Sequence, residues 1–192
     1  MNVTAGQVQK VMRGSVWAWR MTSVFVGMVV VGGPILLLTI VGGGFHDRTF
    51  HMDPFVFSWA LESWSARIYV MLVCLINLAL MFTTLLQIRA VFADLAGGRI
   101  FCDANVLRIR RIGWLTIAGG VWSWLLPLTN PVYSMLTGHD GLITYRSTSV
   151  FSYGLLSFLS GGLTILQSWI MAVGMGVRED AEELRRDAEL VI

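Results

Sequence analysis

Charge is what this sequence has least of. Only 14% of its 192 residues are Asp, Glu, Lys or Arg, against about a quarter in an ordinary soluble domain. With 55% hydrophobic residues and a mean hydropathy of +0.67, this shortfall excludes a water-soluble globule. The length suits a single domain. Cysteine is scarce too: Cys74 falls in an apolar run and Cys102 in a charged connector, positions that favour neither a disulfide nor a metal motif. There is no Walker A, HExxH or G-x-S-x-G pattern. The apolar runs contain no Asp, Glu, Lys, Arg or His. Ionisable groups inside a membrane mark ion pathways and proton relays, so their lack argues against proton-coupled transport, and nothing marks an enzyme or calls for a cofactor. His46, Asp47, His51 and Asp53 crowd one loop, and His139 and Asp140 sit in another. Their spacing matches no metal motif, and they are read as solvated loops. The glycines at 42–44 are read as a helix stop.

What the chain does have is four uncharged runs, at 21–45, 68–88, 112–138 and 147–177. A bilayer core is crossed by roughly 20 apolar residues in a helix, and only helices or closed barrels keep every backbone group paired in lipid. The runs are too long and too continuously apolar for alternating barrel strands. The expected fold is all-α: a polytopic membrane protein with a four-transmembrane-helix bundle, in one domain over 1–192, its helices spanning about 16–42, 66–95, 104–128 and 148–177. Pro127 and Pro131 should end the third helix near Leu128, leaving a short span that crosses upright or thins the bilayer. The first run exceeds the 7–15 residues of a signal peptide's apolar region and is read as a helix. The stretch 54–67 carries Phe55, Phe57, Trp59 and Trp64. It is too short to cross and is expected as an interfacial helix on the outer face.

The basic residues are unevenly placed. Lys10, Arg13 and Arg20 precede the first run, Arg89, Arg99, Arg108, Arg110 and Arg111 cluster in the second connector, and Arg178, Arg185 and Arg186 follow the last run. Only Arg48, Arg67 and Arg146 lie in the first and third connectors. The positive-inside rule then puts both termini and the second connector in the cytoplasm of a multi-pass protein of the cell membrane. Trp17, Trp19 and Trp114 fall at the inner helix ends, and Trp122 and Trp124 toward the outer end of the third helix, where amphipathic rings belong.

Polar residues within the runs suggest packing. Gly154, Ser157, Gly161, Thr164 and Ser168 recur on one face of the fourth helix, the small-residue pattern that lets membrane helices approach. Cys74, Asn77, Met81 and Thr84 share a face of the second, where Asn77 can bond a neighbouring helix or, with Gln167, line a pocket. In the connector, Gly97 and Gly98 break the second helix, Asp103 is expected to N-cap the third, Arg108 and Arg111 share a face, and Arg110 points elsewhere. The tail 178–190 reads as an amphipathic cytoplasmic helix. Val177, Ala181, Leu184, Ala188 and Val191 lie on one side; Glu179, Asp180, Glu182, Glu183, Asp187 and Glu189 lie on the others, with Glu182 and Arg186 as an i,i+4 pair. Its acidic balance argues against lying on an anionic membrane. It is expected to pack on the connector helix, with Arg108 or Arg111 facing Glu179, Glu182, Glu183 or Asp187 and Phe101 tucked beneath.

The segment "GRIFCDANVLRIRRIG", 98–113, carries Gly98-x-Ile100-Phe101, then Asn105, then an arginine run closing on Ile112-Gly113. Together with the acidic tail ending in Leu190-Val191-Ile192, it resembles a bacterial family of four-helix membrane proteins, domain of unknown function 2975, over roughly residues 65–192. Cys102 stands where that pattern has a small polar residue. The resemblance implies a membrane bundle without enzyme activity, often encoded beside a small helix-turn-helix regulator. Three functions compete. The first is a non-enzymatic membrane regulator, whose face of Arg108, Arg110, Arg111, Glu179, Glu182, Glu183 and Asp187 holds a soluble cytoplasmic partner, such as a DNA-binding regulator, without itself touching nucleic acid. The second is a structural or accessory subunit, or a homodimer packed through the stripe from Gly154 to Ser168. The third is a small-molecule permease or sensor. Besides such partners, only membrane lipids are expected as contacts. The topology has a direct check: a reporter fused after Ile192 should report a cytoplasmic position, and external accessibility would contradict it.

Overall fold

The computed structural model describes residues 5–42, 49–52, 55–58, 64–99, 102–137, 143–145 and 147–190. Four long helices dominate it: α1 (Ala5–Val41), α2 (Trp64–Ala96), α3 (Asp103–Thr137) and α4 (Ser147–Leu190). Each is long and apolar enough to cross a membrane, so this is an all-α integral membrane protein. Helices adjacent in sequence pack on one another, α3 with α4 and α1 with α2 most extensively, the arrangement that short connectors between antiparallel spans impose.

Two expectations fail at the end opposite the termini. Helix α3 does not stop near Leu128; it runs through Pro127 and Pro131 to Thr137, as α1 runs through Pro34. Proline removes one helical hydrogen bond, but transmembrane helices tolerate that loss where neighbouring helices and hydroxyl side chains compensate. Thr129 lies between the two prolines. Its hydroxyl bonds the Leu126 carbonyl at 2.7 Å and meets the Tyr69 hydroxyl of α2 at 2.6 Å. The third span is therefore not short.

Nor do the described residues of 54–67 form an interfacial helix: Trp64–Arg67 begin α2. Phe55–Ser58 is a strand, β2, paired antiparallel with β1 (Thr49–Met52) and with β3 (Ile143–Tyr145). Phe, Val and Thr favour strands, and a partner strand satisfies the backbone at the membrane edge. The register sets Phe50 opposite Phe57 and Val56 opposite Thr144. This sheet joins the first and third connectors. Just inside it lies the aliphatic and aromatic core: Ile40, Val70, Val73, Leu126 and Tyr133 are buried together, and the Tyr69 and Tyr133 rings stack at 4.8 Å.

The tightest packing joins α3 and α4. Without side chains at Gly113 and Gly161 the two backbones meet: a Cβ on either glycine would lie 2.8 Å from the other's carbonyl oxygen. Two turns further from the termini, Gly120 faces Ser157 and Gly154, and the Trp124 indole lies over Gly154 and tilts against Phe158 at a centroid distance of 4.9 Å. The stripe Gly154, Ser157, Gly161 and Ser168 is buried and Thr164 half-buried. Ile165 completes it, filling the space beside Gly113. At the other seam, Gly33 of α1 lies against Leu78 of α2, and the Arg89 Nε of α2 donates to the Ser23 hydroxyl at 3.1 Å while its guanidinium covers Trp19.

Gly161→Leu should force α3 and α4 apart, lowering stability in detergent by about 1–3 kcal/mol. Gly162→Leu, which points into open space, should change it by less than about 0.5 kcal/mol. Equal effects in thermal unfolding would contradict this packing.

Candidate functional site

The distinctive polar residues gather where α2 turns into α3. Helix α2 ends in a Schellman turn: the Arg99 amide donates to the Asp94 carbonyl at 2.9 Å and the Gly98 amide to that of Leu95 at 3.1 Å. Gly98 takes φ +76°, the left-handed conformation that glycine adopts without Cβ strain. The chain then enters α3 with Cys102, not Asp103, at the cap position. The Cys102 carbonyl accepts from the Asn105 and Val106 amides. Asp103 lies in the first turn, where its charge suits the helix dipole.

A carboxylate holds this turn closed. The Asp94 side chain, 12% exposed, binds Arg99 at 2.7 Å through one oxygen and Arg108 through the other. Asn105, fully buried, donates to the Arg99 carbonyl at 2.9 Å and accepts from Arg108 at 3.2 Å. Arg108 thus bridges α2 and α3 and does not face the tail. Asp94 was missed in the sequence reading, although it is the only acidic residue between 68 and 102 and stands beside the Gly97-Gly98 break. Arg108 and Arg111 diverge: Arg108 turns inward, Arg111 is exposed, and Arg110 is half-buried with its Nε unpaired among the described residues. Phe101 and Ile100 lie outside the described residues, as do the loop residues His46, Asp47, Asp53, His139 and Asp140.

The tail continues α4 without a break to Leu190, and residues 178–189 are exposed throughout. The α3–α4 register explains why it does not pack on the connector. Gly113 opposes Gly161, so continuing residue for residue brings Asp103, the start of α3, level with about residue 171–174. Beyond that level α4 has no α3 beside it. Its charges pair along its own axis instead: Arg178 with Glu182 at 2.9 Å and Arg185 with Glu189 at 3.2 Å. Glu182 therefore pairs backward and not with Arg186. Glu179, Glu183 and Asp187 make no ion pair among the described residues. Val177 and Leu184 are 62% and 70% exposed.

The remaining expected packing residues divide. Gly154, Ser157, Gly161 and Thr164 belong to the α3–α4 seam, which occupies the stripe and leaves little of it for a second copy. Asn77 does not bond a neighbouring helix. Its Nδ2 donates to the Val73 carbonyl of its own helix at 2.8 Å, and it lines a cavity between the helices. Gln167 is exposed on α4 and is not among the residues lining that cavity. Among the described residues no cluster of His, Cys, Asp or Glu is placed to hold a metal ion.

A family model described as Protein of unknown function (DUF2975) matches residues 29–192, and the chain belongs to that family. The match covers α2, α3 and α4 with the turn between α2 and α3. No curated protein and no solved structure matches the chain.

The clamp has a measurable strength. Asp94→Ala leaves Arg99 and the partly buried Arg108 without their carboxylate acceptor and should lower stability by about 2–4 kcal/mol. Arg99→Ala, whose side chain is 72% exposed, should lower it by no more than about 1 kcal/mol. Equal unfolding midpoints for the two variants would place the clamp elsewhere.

Proposed function

We propose that this member of the family is a non-enzymatic membrane regulator that holds a soluble cytoplasmic protein through its C-terminal helix. The distribution of basic residues, eleven against three across the two sides, supports a cell-membrane protein with both termini and the α2–α3 turn in the cytoplasm. The observation that carries the reading is the exposed end of α4: a helix of about 13 residues, roughly 20 Å long, with Val177 and Leu184 unburied and six acids against three arginines. An amphipathic helix with no neighbour among the described residues suits a helix-in-groove ligand. Its surface fits a groove that is apolar at the floor and basic at the rim. A DNA-binding regulator offers such basic surface, and an acidic helix competes with DNA for it. Binding would then keep the regulator at the membrane and away from DNA, with no contact between this protein and nucleic acid.

The turn supports this arrangement mechanically. The Asp94 clamp fixes α3 against α2, and the glycine seam fixes α4 against α3, so the tail leaves the membrane from a rigid base. A photo-cross-linking residue at position 184 should capture one soluble protein in living cells. Deleting residues 178–192 should move that protein from the membrane fraction to the soluble fraction. Adducts with lipid or membrane proteins alone, or unchanged membrane recovery of the captured protein, would contradict the reading.

A further inference from the structure

All four helices wall a cavity of about 580 Å³, within the range of small-molecule sites. Phe25 and Met28 come from α1, Leu78 and Met81 from α2, Leu115 from α3 and Tyr153 from α4. No charged side chain lines it. From Phe25 to Leu36 on α1, and from Cys74 to Leu85 on α2, it follows the helices for about 16 Å. It is therefore a slot along the membrane normal. Helix α1 makes no substantial packing with α4 among the described residues, so the slot is not sealed on that side from the hydrocarbon.

Among the polar groups lining this slot, the Tyr153 and Ser157 hydroxyls make no hydrogen bond among the described residues, and the Asn77 amide has the largest unmet capacity. Thr84, Thr116 and Ser123 each return their hydroxyl to a carbonyl of their own helix, at 2.8, 2.9 and 2.8 Å. Asn77 uses one amide hydrogen on Val73. Its Oδ1 and second amide hydrogen have no partner among the described residues, and the residue lines the cavity. Asn77 stands nine residues from Ile68 and eleven from Ile88, the ends of the uncharged stretch. That is about 14 and 17 Å along the helix, which places it near the bilayer midplane. An amide with unmade hydrogen bonds is strongly disfavoured there.

We propose that the cavity binds a neutral lipid drawn from the hydrocarbon phase, an apolar chain carrying one carbonyl or hydroxyl, with Asn77 as its polar contact. The depth selects the class. A phospholipid headgroup is charged and stays at the interface, so it cannot reach Asn77, and its acyl chains offer nothing to the amide. An ion or polar metabolite would meet apolar walls without a counter-charge. A neutral carbonyl or hydroxyl can descend to the midplane, where it accepts from the second Asn77 amide hydrogen or donates to Oδ1. The site stands apart from the tail and does not depend on its docking a partner.

The glycines on the cavity wall make the proposal testable. A Cβ on Gly32 or Gly119 would have no heavy atom within 4 Å, so a leucine at either enters open space without displacing a packed neighbour. The full chain in phosphatidylcholine nanodiscs is irradiated with a diazirine-bearing hexadecanol, and labelled peptides are read by mass spectrometry. Saturable labelling around Met28, Leu78, Met81 and Leu115 is expected, displaced by excess plain hexadecanol but not by phosphatidylglycerol. Asn77→Leu should raise the half-saturating probe concentration about tenfold, the equivalent of one lost hydrogen bond. Gly119→Leu should abolish the saturable labelling while the helical circular dichroism is kept, and Gly32→Leu, on another wall, gives the same reading if the first variant does not fold. The proposal is overturned by unsaturable label spread evenly over lipid-facing residues such as Leu163 and Val173, by displacement with phosphatidylglycerol, by protein–protein adducts through the cavity residues, or by an unchanged half-saturation in Asn77→Leu.

Discussion

The contact between the Gly113 and Gly161 backbones is the constraint on which the arrangement of this protein depends. In lipid, burying an apolar side chain against another helix gains little, because the acyl chains it leaves are equally apolar. Association comes instead from close van der Waals approach and weak Cα–H to carbonyl contacts. Two glycines facing one another supply both. Fixing that one point fixes the antiparallel register of α3 and α4, and the register decides two things at once. It places Gly120 against Gly154 and Ser157, so the seam continues toward the sheet. It also lets α4 outrun the start of α3 at the other end, so the last helical turns are exposed among the described residues.

Polar groups then sort by depth. At the ends of the bundle, charge is permitted and does structural work: Asp94 binds two arginines across the α2–α3 turn, and Arg89 ties α2 to Ser23 and Trp19 of α1. Between the ends, the hydroxyls of Thr22, Thr83, Thr84 and Thr116 bond carbonyls of their own helices, which makes them nearly neutral to lipid. Asn77 departs from this pattern, since an amide has more hydrogen-bonding capacity than one helix carbonyl satisfies. Its position beside an open cavity leaves that capacity unmet near the middle of the span among the described residues.

Much of this was legible in the sequence. Four spans followed from charge-free length alone, and the Gly154-to-Ser168 stripe followed from helical spacing. The connector segment 98–113 stood out as a turn, though its closing carboxylate, Asp94, did not, because a single acid three residues before a double glycine is an ordinary helix end until the fold brings Arg108 to it. Pro127 and Pro131 misled because soluble-helix rules charge a full penalty for a lost hydrogen bond, whereas α3 keeps its helix with Thr129 bonded at that point. The strand at Phe55–Ser58 was hidden because local aromatic content cannot separate a strand from an interfacial helix, and the second of its two partners, β3, is some 85 residues away. The tail's freedom was hidden for the same reason: opposite charges predicted contact, but inter-helix register, which no local pattern encodes, holds the charges apart.

The glycine-set register leaves the end of α4 clear of the described residues of the α2–α3 turn. Pulsed electron-paramagnetic-resonance distances test it most directly, with Cys74 and Cys102 replaced by serine and spin-label pairs placed at positions 104 and 175 and at 104 and 184 of the membrane-reconstituted protein. The account predicts the shorter distance for 104–175 and a markedly longer one for 104–184, in keeping with nine further residues of helix, about 13 Å of rise. A 104–184 distance equal to or shorter than that for 104–175 would mean the tail folds back on the connector, and would contradict the account.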